Sequence, residues 1–244
     1  MLILISKEIK YFFLTPVGYF VLGTFWTFNT LLFISIDNDL NLFQSKFIDF
    51  NEFFTLMPLM LIFLVPTIVM RTFSEEIQLG TIDIIVSKPI SNLTIIWSKF
   101  FGCLFILIIC ILPTFFYIIY AYQFSILEDD NDFQLIIGSY FGLLALGSNF
   151  TGISLPISII FKNQINVLIT STFLCFCQYY LLTQLSDLSN SDFLYNLILN
   201  SGSQEHYLNF VNGVISTNDI GYFFGSNILF MGITLYFFNK SRYN

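Results

Sequence analysis

The chain has 244 residues, of which 56% are hydrophobic and 19% aromatic, while only 10% carry charge. A water-soluble domain of that size needs more polar surface than this, so the composition calls for lipid as solvent. The net charge of −7 reflects acidic loops and carries no sign of a nucleic-acid partner.

Residues 1–15 read as a basic amphipathic helix. Leu4, Ile5, Ile9, Phe12 and Phe13 recur at helical spacing with Lys7 and Lys10 off the stripe, the pattern of a helix lying along a membrane surface. No small-residue cleavage site accompanies it, so it is not expected to be a removable signal. Thr15-Pro16 stops it, because the residue before a proline is driven out of the helical region. Six apolar segments then qualify as spans of about 20 residues: approximately 17–36, 53–70, 93–122, 135–161, 165–183 and 222–238. The third exceeds the length a span requires, and its Lys99 is expected to snorkel into the interface. Pro58, Pro66, Pro113 and Pro156 lie in or near span ends, where neighbouring helices can satisfy the carbonyls they free. Gly138-x-x-x-Gly142 and Gly221-x-x-x-Gly225 have close-packing spacing. Packing within the chain is the default reading, and association with another subunit is the alternative.

The spans sort the charges. Lys7, Lys10, Arg71, Lys88, Lys99, Lys162, Lys240 and Arg242 share one side with four acids, while Lys46 alone faces twelve acids on the other. Basic residues set orientation, so the chain is expected in a bacterial cytoplasmic (inner) membrane with both termini inside. The fold class is therefore an all-α integral membrane protein. Six transmembrane helices are accompanied by an N-terminal interfacial helix, a helix in a cytoplasmic loop and an amphipathic segment before the last span. Residues 1–244 read as a single transmembrane domain.

What the chain lacks narrows its chemistry. It has no G-x-x-x-x-G-K-[ST] phosphate loop and no H-E-x-x-H. No nucleophile set has a believable scaffold. Cys103, Cys110, Cys175 and Cys177 fall inside spans and read as small apolar packing residues. With no CxxC and a single histidine, no metal site is expected. The spans carry almost no ionisable groups, which disfavours a proton relay or an ion-coupled carrier. An intramembrane enzyme is disfavoured on the same grounds.

Residues 71–90 form the only sizeable loop on the basic side. Thr72 and Glu75 have capping-box spacing, and Leu79, Ile82, Ile85 and Val86 share one face of a helix that Lys88-Pro89 ends. Such a helix could dock on the membrane or in a groove of a soluble partner, and a solvated connector fits the residues equally well. The run R-x-F-S-E-E-x-x-x-G-T-I-D-x-x-x-S-x-P-I resembles the signature loop of type-2 ABC exporter permeases, at the topological place where that loop belongs. The resemblance implies that Arg71, Phe73, Glu75, Glu76, Gly80, Thr81, Asp83 and Pro89 form the coupling interface to a separate ATPase subunit. ATP and Mg would then reside in that partner, with no cofactor in this chain.

Residues 184–221 are too long and polar for a tight turn, and Leu194, Leu197, Ile198, Tyr207, Phe210, Val211 and Val214 have helical apolar spacing. Amphipathic helices packed at the outer leaflet are expected, with His206 a satisfied interfacial residue rather than a ligand. The segment H-Y-x-x-F-x-x-G-V-I-S-x-x-D-x-x-Y-F, carrying His206, Tyr207, Phe210, Gly213 and Asp219, resembles an element of the gliding-motility-associated permease family of GldF. Ser216 stands where that family usually has Asp. The opening K-E-I-x-x-F-F-x-T-P-V-G-Y at residues 7–19 is similar to the same family. The resemblance implies a permease subunit paired with a second copy or a paralogous membrane subunit, bound to ATPase subunits and associated with gliding. Two alternatives remain at this level: a structural membrane anchor, and an exporter permease unrelated to gliding.

Overall fold

The computed structural model describes residues 1–34, 50–87, 89–123, 130–188 and 191–243. The side chains of Asp83, Val86 and residues 120–123, 130–133 and 241–243 are not part of that description. Lys46, Lys88 and the expected end of the first span lie outside the described residues.

Every regular element among the described residues is helical. Five helical runs are long and apolar enough to cross a membrane: Phe50–Gln78, Asn92–Ile119, Gln134–Ile160, Gln164–Asp187 and Thr217–Lys240. A sixth arises if the bent pair Leu2–Leu14 and Pro16–Leu32 is taken as one span. That pair consists of α1 (Leu2–Leu14) and α2 (Pro16–Ile34), which meet at 77°. The bend follows from Pro16, since Thr15 before it is extended at φ −98° and ψ 143°.

Helix α3 (Phe50–Val69) leads through two five-residue helices, α4 (Ser74–Gln78) and α5 (Ile82–Val86), into α6 (Asn92–Ile111). Ser91 caps α6 by accepting the Thr94 N–H at 3.3 Å. Pro113 falls in a 3₁₀ turn, Leu112–Thr114, that joins α6 to α7 (Phe115–Gln123). Next come α8 (Asp130–Ile160), α9 (Gln164–Phe176) and a π-turn, Cys177–Leu181, that continues into α10 (Leu182–Asp187). Two short helices, α11 (Asp192–Ser201) and α12 (Ser203–Val211), precede the last helix, α13 (Thr217–Tyr243).

Helix α8 is the central rod, with α3, α6, α9, α12 and α13 all packed on it. Leu143, Leu146, Phe150 and Leu155 are fully buried along it. Its buried Ser139, Thr151, Ser154 and Ser158 donate to carbonyls one turn back in the same helix. No hydroxyl of this set is therefore left unpaired in an apolar interior. Gly142 permits the approach of α12, since a Cβ there would lie 2.7 Å from Phe210 Cβ. Gly138 also faces α12, whereas nothing lies within 4 Å of a Cβ at Gly221 or Gly225. The first small-residue pair thus works within the chain, and the second lies on a face of α13 that no described residue covers.

Pro58 shows how the bundle handles an interior proline. With no N–H at position 58, the Phe54 carbonyl loses its helical donor. The Tyr207 hydroxyl of α12 donates to that carbonyl instead, at 2.6 Å.

Candidate functional site

The 71–90 loop differs from the single amphipathic helix that its apolar spacing predicts. Gly80 ends the first turn of helix in the left-handed region at φ 68°. The Thr81 N–H bonds the Glu76 carbonyl at 2.9 Å and the Gly80 N–H bonds the Ile77 carbonyl at 3.3 Å. This is a Schellman ending, and a side chain at Gly80 would have to occupy left-handed space that glycine enters freely. The capping box is absent as well. Phe73 occupies the N-cap, and the Thr72 hydroxyl donates back to Val69 O at 2.8 Å.

The loop consequently has two halves. In the inner half, Glu75 receives Arg71 Nε at 2.7 Å and Nη2 at 3.2 Å, together with the Tyr11 hydroxyl and Gln164 Nε2 at 3.2 Å. Arg71 Nη1 donates to Thr15 Oγ1 at 2.9 Å, and its guanidinium lies 5.6 Å from the Tyr11 ring centre. Glu76 pairs with Lys7 at 2.5 Å and with Lys99 at 2.8 Å. Phe73 is fully buried, with its ring 5.6 Å from that of Phe238 on α13. In the outer half, Gln78, Leu79, Gly80, Ile84, Ser87 and Pro89 are exposed and Thr81 is half-buried. The side chain of Asp83 lies outside the described residues.

Lys99 departs most from expectation. Instead of snorkelling to an interface it points inward, with 2% of its side chain exposed. Its ammonium pairs with Glu8 at 3.0 Å and with Glu76, and it donates to the Thr72 carbonyl. The Phe73 ring centre lies 4.7 Å away. Three bases, Lys7, Arg71 and Lys99, are thereby matched by three acids, Glu8, Glu75 and Glu76. A charge taken into a low-dielectric interior persists only when paired in this way. Sequence reasoning used both lysines for orientation, with Lys7 on the polar face of an interfacial helix and Lys99 snorkelling to the interface, and paired neither with an acid. The available signal was the position of Lys99 within an apolar run, because an ionisable residue there calls for a partner.

The second predicted cluster also assembles. His206 Nδ1 lies 2.6 Å from Asp219 Oδ1 and Nε2 lies 3.2 Å from the Asn200 carbonyl. The ring stacks on Tyr222 with centroids 4.1 Å apart. Asp219, only 2% exposed, also accepts from Asn209 Nδ2 at 3.2 Å and from Ser216 Oγ at 2.8 Å. Ser216 in turn accepts the Asp219 N–H at 3.2 Å, so Ser216 serves as a helix cap for α13. Gly213, at φ 76°, closes α12 with a second Schellman ending: Val214 N–H bonds Asn209 O at 2.8 Å and Gly213 N–H bonds Phe210 O at 3.1 Å. Gln178 of the π-turn donates to Tyr222 Oη at 2.6 Å and to the Ser201 carbonyl at 2.9 Å. Spacing alone misses Gln178, because a π-turn is invisible to a 3.6-residue periodicity.

The two clusters lie at opposite ends of the bundle. Along α8, Gly142 touches α12, whereas Gln164, just past its far end, reaches Glu75. About 20 residues at 1.5 Å each separate these points by about 30 Å, the thickness of a hydrocarbon core. Among the described residues no group of three or more His, Cys, Asp or Glu could hold a metal.

An all-helical bundle with five or six apolar spans and polar clusters at both ends is the architecture of a multi-pass membrane permease. A family model described as ABC-2 family transporter protein matches residues 40–236. The chain belongs to that family, whose members are membrane subunits of ABC transporters rather than catalytic ones, and membership implies an ABC ATPase partner. No curated protein matches the chain.

Proposed function

We propose that the chain is the driven membrane subunit of an ATP-powered exporter and that a separate ATPase docks on the outer half of loop 71–90. The observation that carries this reading is the division of the loop. Arg71, Phe73, Glu75 and Glu76 are bound to the bundle, so force applied at Leu79, Ile84 or Pro89 reaches the spans without a slack connector. Two copies, or this chain and a paralogue, form a twelve-span core with N-in and C-in ends in a bacterial inner membrane. ATP and Mg are bound and turned over by the partner, and closure of the ATPase pair switches the core between inward-facing and outward-facing states. The motifs at residues 7–19 and 206–223 favour the gliding-motility role of GldF-type permeases.

The test is co-expression with the cognate ATPase. Glu75→Ala/Glu76→Ala and Gly80→Val are expected to insert in the membrane yet lose stimulation of ATP turnover, while the chain purified alone neither binds nor hydrolyses ATP. Unchanged co-purification and stimulation in both variants would refute the coupling role. A deletion strain that still spreads on surfaces would remove the gliding assignment alone.

A further inference from the structure

Lys99 and Glu8 have no place in the loop motif, yet they sit at the convergence of three segments. Glu8 is on α1, Lys99 on α6 and Glu76 on α4, positions separated by 91 and 23 residues from Lys99. The approach of α1 to α6 is close: a Cβ at Gly102, one turn beyond Lys99, would lie 2.9 Å from Glu8 Cβ. Any residue larger than glycine at position 102 therefore pushes Glu8 away from Lys99. Gly102 makes room for the ion pair, in which Lys99 is 2% and Glu8 11% exposed.

We infer that Glu8 and Lys99 are positioning residues for energy coupling: the Glu8–Lys99–Glu76 chain of ion pairs binds α1, α4 and α6 into one body, so that α1 moves with the loop. This rests on the proposed docking of an ATPase at residues 71–90. The physical reason is the asymmetry of buried ion pairs. Intact, such a pair adds little net stability, but removal of one partner strands a charge and is strongly unfavourable. A rearrangement that parted Lys99 from Glu8 or Glu76 would meet that penalty, so the three segments shift together or not at all.

The experiment uses the complex with its ATPase in a background lacking the native cysteines. Glu8→Gln is expected to keep ATPase co-purification while lowering permease-dependent stimulation of ATP turnover by roughly tenfold, within the usual 5–150-fold range of coupling between sites. Glu8→Cys/Gly102→Cys replaces the ion pair with a disulfide, for which α1 and α6 part until the Cβ atoms move from 2.9 Å to about 3.8 Å. Its oxidised form is expected to restore stimulation to within about twofold of the parent, and reductant should abolish the rescue. Lys99→Met serves as a third variant, and the two others keep the test decisive if it fails to fold. Full stimulation in Glu8→Gln, or no difference between oxidised and reduced cross-linked complex, overturns the inference. A readout without ATPase separates this from failure of docking: protease cleavage within 71–90 in membranes should rise on Glu8→Gln and fall again in the cross-linked form. If the parent chain binds no ATPase but this protease pattern holds, the docking reading fails and the ionic tie survives.

Discussion

Tyr207→Phe isolates one hydrogen bond whose necessity follows from a proline 149 residues away. The Phe54 carbonyl has no helical donor because position 58 is proline, and both Phe54 and Tyr207 are buried to within 1% of full coverage. Removing the hydroxyl keeps the ring, so no cavity forms and the change is confined to one stranded acceptor. A buried acceptor without a partner costs about 1–3 kcal/mol in soluble proteins, and interhelical hydrogen bonds inside membranes average about 0.6 and reach about 1.7 kcal/mol. The contact here is 2.6 Å long and lies between two buried residues, which places it near the upper end, at about 1–2 kcal/mol. For a chain of this size that corresponds to a midpoint lowered by about 2–8 °C, readable by thermal unfolding in detergent. The decisive arm is a double-mutant cycle with Pro58→Ala, which returns an N–H to Phe54 O. In that background Tyr207→Phe should cost less than about 0.5 kcal/mol. An equal penalty with and without Pro58 would show that the hydroxyl does not serve the proline-freed carbonyl.

Gly142→Val should destabilise by about 1–3 kcal/mol through overpacking against Phe210, whereas Gly225→Ala, with open space around it, should stay within about 0.5 kcal/mol in the isolated chain. Comparable effects at the two sites, by the same thermal assay, would contradict the packing. Asp219→Asn removes the carboxylate that His206, Asn209 and Ser216 share, so hydrogen exchange in α11 and α12 should rise by at least about tenfold, from the loss of charge-assisted bonds worth about 1.5–3 kcal/mol. Unchanged protection there would show that α12 is held by its apolar contacts alone. Cysteine labelling from the two faces of the membrane should place positions 78 and 162 on one side and 130 and 205 on the other, and positions 78 and 130 on the same side would break the proposed orientation.

The helical spans were legible because a run of apolar residues needs no knowledge of its neighbours. Bounds drifted where local chemistry intervened: Pro113 inserts a 3₁₀ turn into the long third run, and the π-turn at Cys177–Leu181 follows no regular period. The amphipathic segment before the last span resolved into α11 and α12. Spacing alone did not show that α12 would bury Tyr207, Phe210 and Val211 while α11 buries none of its residues. That distinction depends on Gly142 and Gly138 of α8, which admit α12 and make no offer to α11.

The loop shows the limit more sharply. Leu79, Ile82, Ile85 and Val86 carry a genuine helical period, but Leu79 is 66% exposed because Gly80 reverses the chain before the pattern can continue. Periodicity describes a face only while the backbone stays helical, and a single residue at φ 68° resets it. The ionic cluster was hidden for a different reason. Lys7 meets Glu76 across 69 positions and Lys99 meets Glu8 across 91, and no local rule pairs residues so far apart. What the sequence does contain is the energetic demand: a lysine within an apolar run needs a buried anion. Once α1 is bent back by Pro16, the acid next to Lys7 lies against Gly102 and meets that demand. Glutamine at position 8 would preserve the helical pattern and almost the same volume, yet among the described residues it would leave Lys99 with Glu76 as its one anionic partner.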